Sequence, residues 1–202
     1  MFDVVQPIDD AILFTIQQWH NPFLDFIMPI ISFISDNGYI WIPVIVLMII
    51  FKRTRRVGIC MAITFAACIG LGLGLKYLIA RPRPTDLHPE VSLIIDRPEA
   101  LRSFPSGHTI MSFGMAFVLW FQTWKFGLPA TVFACIVGFS RLYLFCHNPS
   151  DVAASIILAA AAALLTVLIA WLILRDKGGL RPYSRRRQTE AAGVGSGKHY
   201  GG

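Results

Sequence analysis

The sequence predicts an all-α, polytopic membrane helix bundle. Three observations predict it. The chain of 202 residues is 55% hydrophobic. Only 15% of it is charged, against about 25% in an average soluble domain. Mean hydropathy is +0.59, and several long stretches carry no charge at all. This composition excludes a disordered chain, which needs low hydrophobicity and high charge. The net charge of +6 invites a nucleic-acid reading. In a membrane protein, cytoplasmic Lys and Arg produce the same excess, so no nucleic-acid partner is implied. The length suits one domain, expected over residues 1–176. A basic, Gly-rich tail over 177–202 is expected to be disordered.

The elements follow in chain order. Ile8, Ile12, Leu13, Ile16 and Trp19 recur at helical spacing, which predicts an amphipathic helix on the membrane surface. Phe23 to Ser35 carries one charge, Asp25, and Asn37 to Phe51 carries none. Asp36-Asn37-Gly38 between them is a turn signal. The region therefore reads as a span ending at Phe51 with a re-entrant or interfacial upstream half. A span needs about 20 mostly apolar residues. Val57 to Leu75, Thr109 to Trp124, Phe126 to Phe145 (interrupted by Arg141) and Val152 to Leu174 come close. The expectation is about five spans, with six as the competing count.

The charges then set the topology. Lys52, Arg53, Arg55 and Arg56 follow the first span, Lys125 follows the third, and Arg175, Lys177, Arg181, Arg185, Arg186 and Arg187 follow the fifth. All fall on one side, which is cytoplasmic by the positive-inside rule. The loop from Ala80 to His108 and the turn at His147 then face outward. The first 20 residues have no basic region, so no cleavable signal peptide is expected. Cys60, Cys68, Cys135 and Cys146 form no CxxC pair and no metal-ligand spacing.

Three outward groups carry the chemistry. Lys76 lies near the outer end of the second span, and Arg83 follows in a segment stiffened by Pro82 and Pro84. Alone, these cations read as snorkelling to the interface and binding headgroups. Phe104-Pro105-Ser106-Gly107-His108 precedes a span. Pro105 would open the helix, Ser106 and Gly107 would offer backbone N–H groups to an anion, and His108 adds a titratable group. Alone, this is a helix cap with an incidental His. Arg141 sits near the outer end of the fourth span, and Asn148-Pro149-Ser150-Asp151 reads as N-cap, N1, N2 and N3 of the fifth. Asp151 can reach back to His147, accept its Nδ1–H and leave Nε2 as nucleophile. Alone, Asp151 reads as a cap. Together the groups supply three cations, an anion nest, two histidines and a carboxylate on one face. Phosphoryl transfer needs that set: neutralised oxygens and an in-line nucleophile. No carboxylate cluster suits Mg²⁺.

Lys76-x6-Arg83-Pro84, Pro105-Ser-Gly-His108 and Ser140-Arg141-x5-His147-x3-Asp151 resemble, in order and spacing, the three signature motifs of the type 2 phosphatidic acid phosphatase (PAP2) family. Arg81-Pro82 does not fit the spacing, which selects Arg83. Asn21-Pro22-Phe-Leu-Asp25 and Gly38-x-x-Trp41 are similar to the lead-in of bacterial members. The resemblance implies that His147 attacks phosphorus, Asp151 orients it, and His108 protonates the leaving oxygen and then activates water. It implies that Lys76, Arg83, Ser106, Gly107 and Arg141 bind the phosphoryl oxygens, with no metal and no cofactor. It implies a lipid phosphate substrate, with undecaprenyl diphosphate first, and phosphatidylglycerophosphate and lipid A 1-phosphate as alternatives. The site of action would be the bacterial inner membrane, with the active site facing outward. Headgroup selection would fall on the loop carrying Asp86, Glu90, Asp96, Arg97, Glu99 and Arg102. Two other classes compete. A haloperoxidase-like site belongs to soluble proteins, against the spans. A transporter or scaffold would place polar residues within the spans, yet the last span offers little beyond Ser155 and Thr166.

Overall fold

The computed structural model describes Phe2 and residues 4–96, 102–122 and 124–174. The expected tail, and Arg97 and Glu99 of the outer loop, lie outside the described residues. Among the described residues eight α-helices follow in order: α1 (Gln6–Gln17), α2 (Pro22–Ile34), α3 (Trp41–Ile50), α4 (Arg55–Ile79), α5 (Pro84–Leu87), α6 (Gly107–Gln122), α7 (Trp124–Tyr143) and α8 (Pro149–Leu174). No strand occurs among the described residues.

α6 is the central helix and packs against α4, α7 and α8. Its Ile110, Met115, Ala116 and Val118 are buried. Small residues let the backbones approach. A Cβ on Gly114 would lie 2.8 Å from the Cys68 sulfur, and one on Gly58 would lie 2.7 Å from the backbone nitrogen of Ile49. The outer faces of α4 and α8 expose Ile63, Leu164 and Ile173. Apolar faces of this extent suit lipid, not water.

α4, α7 and α8 are each long and apolar enough to cross a membrane. α2 and the segment Asp36–Ile50 make a bent pair, turned by 43° at their break. The break falls at the expected turn: Asn37 has φ 46° and Gly38 φ 70°. Asn and Gly are the residues that enter this left-handed region readily. α6 is shorter, about 24 Å at 1.5 Å per residue against a hydrocarbon core of about 30 Å.

Three sequence expectations shift. Trp124 and Lys125 lie in α7, not at the end of the span before it. Pro105 precedes α6, which starts at Gly107, and so does not open the helix. Leu13 and Ile16 of α1 are buried against protein, while Ile8 and Ile12 of α1 and Trp19 just beyond its end remain exposed. The apolar stripe thus divides between the fold and its surroundings.

Candidate active site

The chemistry gathers at one end of the bundle. Lys76 stands in the last turn of α4, Gly107 and His108 in the first turn of α6, Arg141 in the last turn of α7, and Asp151 in the first turn of α8. Antiparallel packing of these helices brings the ends together. Arg83 and Arg141 are buried. They lie within Coulombic reach of Lys76, and all three cations act on His108.

α8 starts as the sequence predicts. Asn148 precedes Pro149, and Asp151 sits at N3. The Asn148 backbone N–H donates to Asp151 Oδ2 at 2.9 Å, so an otherwise unpaired donor is met by a carboxylate where the helix dipole favours one. The His147 Nδ1 is 3.9 Å from the same oxygen. This is adjacency without a formed hydrogen bond, and Nδ1 has no other partner. Three groups hold Asp151 instead: the Ser103 hydroxyl donates to Oδ2, Asn148 donates to Oδ2, and Arg81 Nη1 donates to Oδ1 at 2.7 Å.

His147 is 2% exposed. Burial first, then the charges of Arg83 and Arg141, push its pKa down to about 3, against the opposing pull of Asp151. The imidazole is therefore neutral at physiological pH, as a nucleophile must be. On the other side of the cluster, His108 Nε2 lies 3.4 Å from Asp36 Oδ1, at the bend between α2 and α3.

The anion nest is narrower than expected. The Ser106 backbone N–H donates to Ser155 Oγ at 2.8 Å, so it is already used within the fold. The Ser106 hydroxyl accepts from Thr109 Oγ1 at 2.9 Å. Gly107 stays open: a Cβ there would meet nothing within 4 Å. Gly107 and Lys76 border a cavity of about 220 Å³, whose walls include Cys68, Leu73, Ile110 and Met111. Arg83 Nη1 donates to the Cys146 carbonyl at 2.9 Å, and Arg141 Nη1 donates to Ser32 Oγ. Among the described residues, no group of three or more His, Cys, Asp or Glu side chains is placed to hold a metal ion.

Residues 55–175 match the PAP2 superfamily. The chain belongs to that superfamily. It is similar to the undecaprenyl-diphosphatase of Sulfolobus acidocaldarius, 37% identical over 140 residues that make up 68% of each chain. It is also similar to the undecaprenyl-diphosphatase BcrC of Bacillus subtilis, 31% identical over 81% of this chain and 80% of that one. The fold is similar to the crystal structure of a transmembrane PAP2 type phosphatidylglycerolphosphate phosphatase from Bacillus subtilis. The TM-score is 0.69, with 26% identity over 81% of this chain and 85% of that one.

All eight site residues expected from the PAP2 motifs sit in or beside this cluster. Sequence reasoning missed their supports. Arg81, set aside by the motif spacing, is 2% exposed and pairs with both Asp151 and Asp9 of α1. Ser103, Ser32 and Asp36 touch Asp151, Arg141 and His108 respectively. The available signal was a cation and an acid inside otherwise apolar or Pro-rich segments, where burying a charge demands a partner. Arg102, assigned by sequence to headgroup selection, turns its guanidinium to the carbonyls of Lys76 and Tyr77, at 3.0 and 2.7 Å, and so caps α4.

Proposed function

We propose that this multi-pass membrane phosphatase hydrolyses undecaprenyl diphosphate to undecaprenyl phosphate in the bacterial inner membrane, with its active site facing outward. His147 Nε2 attacks the terminal phosphorus; the P–N bond forms as the P–O bond to the leaving phosphate breaks. His108, which takes up a proton from solvent once the negative charge of the bound diphosphate offsets the neighbouring cations, gives that proton to the leaving oxygen. In the second step water attacks the phosphohistidine, His108 takes the water's proton, the P–N bond breaks and inorganic phosphate departs. Lys76, Arg83, Arg141, the Ser106 hydroxyl and the Gly107 N–H meet the phosphoryl oxygens, where fixed donors act on charge that grows in the transition state. No metal enters either step.

The observation that carries this reading is the juxtaposition of buried His147 and Asp151 with three cations, one of which, Lys76, borders together with Gly107 a cavity lined mainly by apolar residues. A lipid phosphate has that polarity: charged head, apolar tail. The outward orientation rests on Lys52, Arg53, Arg55, Arg56 and Lys125, which all sit at the end opposite the site. The choice of undecaprenyl diphosphate rests on the named relatives. Phosphatidylglycerophosphate is the second reading, favoured by the structural neighbour.

Phosphate release from purified protein, compared across undecaprenyl diphosphate, phosphatidylglycerophosphate, phosphatidic acid and lipid A, tests the proposal. The highest kcat/KM is expected on undecaprenyl diphosphate, with EDTA without effect. A higher value on another lipid overturns the substrate, and loss of activity in EDTA restored by Mg²⁺ overturns the metal-free chemistry.

A further inference from the structure

Arg81 is among the largest fully buried side chains, and its guanidinium is met on several sides. Nη1 donates to Asp151 Oδ1 and to Ser150 Oγ, each at 2.7 Å. Nη2 donates to Asp9 Oδ2 at 2.8 Å and to Gln6 Oε1 at 2.7 Å. The guanidinium carbon stands 4.2 Å from the centre of the Phe2 ring. Asp9, itself 2% exposed, accepts the Ser150 backbone N–H at Oδ1 (2.9 Å) and the Ser150 hydroxyl at Oδ2 (2.5 Å). One carboxylate from α1 thus satisfies a first-turn donor of α8 and one arm of Arg81. The α8 turn so fixed is the one that carries Asp151.

We propose that Arg81 is a positioning residue for the Asp151–His147 pair, and that α1, through Asp9, is a working part of the active site. The inference rests on the roles given to His147 and Asp151 above. Arg81 holds Oδ1, which fixes the carboxyl plane and turns Oδ2 toward His147 Nδ1. It also serves as the counter-cation of a fully buried Asp151. A dedicated cation at that place means that the motif cations need not be drawn onto Asp151, and they stay with the phosphoryl oxygens. The planar guanidinium suits this task, because its two nitrogen arms reach two carboxylates at once; an ammonium is a point charge and cannot.

The test is Arg81→Lys and Asp9→Asn in the full-length, detergent-purified protein, with kcat, KM, inhibition by inorganic phosphate and thermal midpoint measured for each. Arg81→Lys is expected to lower kcat by about 10- to 100-fold, the scale of a reacting group displaced by up to about 1 Å. KM and the phosphate inhibition constant should stay within about 3-fold. Asp9→Asn keeps the shape and removes one charge, and is expected to lower kcat by about 3- to 10-fold with the same unchanged phosphate affinity. A merely structural role would lower the thermal midpoint while leaving kcat per folded molecule intact. Wild-type kcat per folded molecule in Arg81→Lys overturns the positioning role. Wild-type kcat in Asp9→Asn overturns the part given to α1 and stands even if Arg81→Lys does not fold. A parallel fall in phosphate affinity overturns it differently, by making Arg81 a phosphate ligand. A His147→Ala control separates the two readings: activity retained there sinks the proposed function itself.

Discussion

The two ends of the bundle use the same residue types in opposite ways. At one end Lys52, Arg53, Arg55, Arg56 and Lys125 are exposed. Arg55 Nε donates to the Ile49 carbonyl at 3.0 Å, finishing α3. At the other end Arg81, Arg83 and Arg141 are 2%, 4% and 6% exposed and surround two histidines and an aspartate. An exposed cation at a membrane boundary costs little and sets orientation. A buried one is costly unless something meets its charge, and the fold supplies those partners for Arg81 through Asp9 and Asp151. On the proposed function, the positive balance of the chain is topology at one end and anion chemistry at the other.

His147→Ala should abolish phosphate release, by about 10³-fold or more, while the protein still purifies as a folded species, because the proposed nucleophile has no substitute. Residual activity near wild type would end the nucleophile assignment. Arg83→Met should lower kcat by about 10²- to 10³-fold if, as proposed, its guanidinium faces the transferring phosphoryl. A change confined to KM would make Arg83 a ground-state binder only.

The burial of His147 also sets a pH dependence. In the folded phosphate-free protein the imidazole stays neutral down to about 3, whereas in an unfolded chain it protonates near 6.5. The unfolded state therefore binds more protons between those values. The contribution to stability is fully present above about 6.5 and declines as pH falls toward about 3. Imidazole ¹⁵N resonances assigned to His147 should show no titration between about pH 5 and 8, and a midpoint near 6.5 would contradict the burial. The smallest effect belongs to the opposite end. Lys52→Gln with Arg53→Gln should leave kcat/KM within about 2-fold in detergent, because exposed charges at this distance are screened. A larger loss would show that the two ends are coupled.

Much of the site was legible because it is written in punctuation. Asn148 and Pro149 fix the start of α8 and therefore the register of Asp151. The Asp36-Asn37-Gly38 turn is readable because only such residues enter left-handed backbone easily. Charges within apolar sequence mark Lys76 and Arg141. What escaped was the pairing. Arg81 and Asp9 are distant in sequence, and nothing local says that α1 folds over the α7–α8 turn rather than lying free on the membrane. That placement depends on Leu13 and Ile16 packing into the fold and on the ion pair itself. The Ser106 amide was misjudged for the same reason, since its acceptor, Ser155, comes from a helix far along the chain.

The most direct measurement is a rapid acid-free quench of the enzyme with lipid diphosphate labelled at its terminal phosphate. A covalent label, stable to alkali and lost in acid, should appear within one turnover on the peptide containing His147, and should be absent from His147→Ala. No protein-bound label during turnover, or a label on another side chain, would contradict a phosphohistidine at this site.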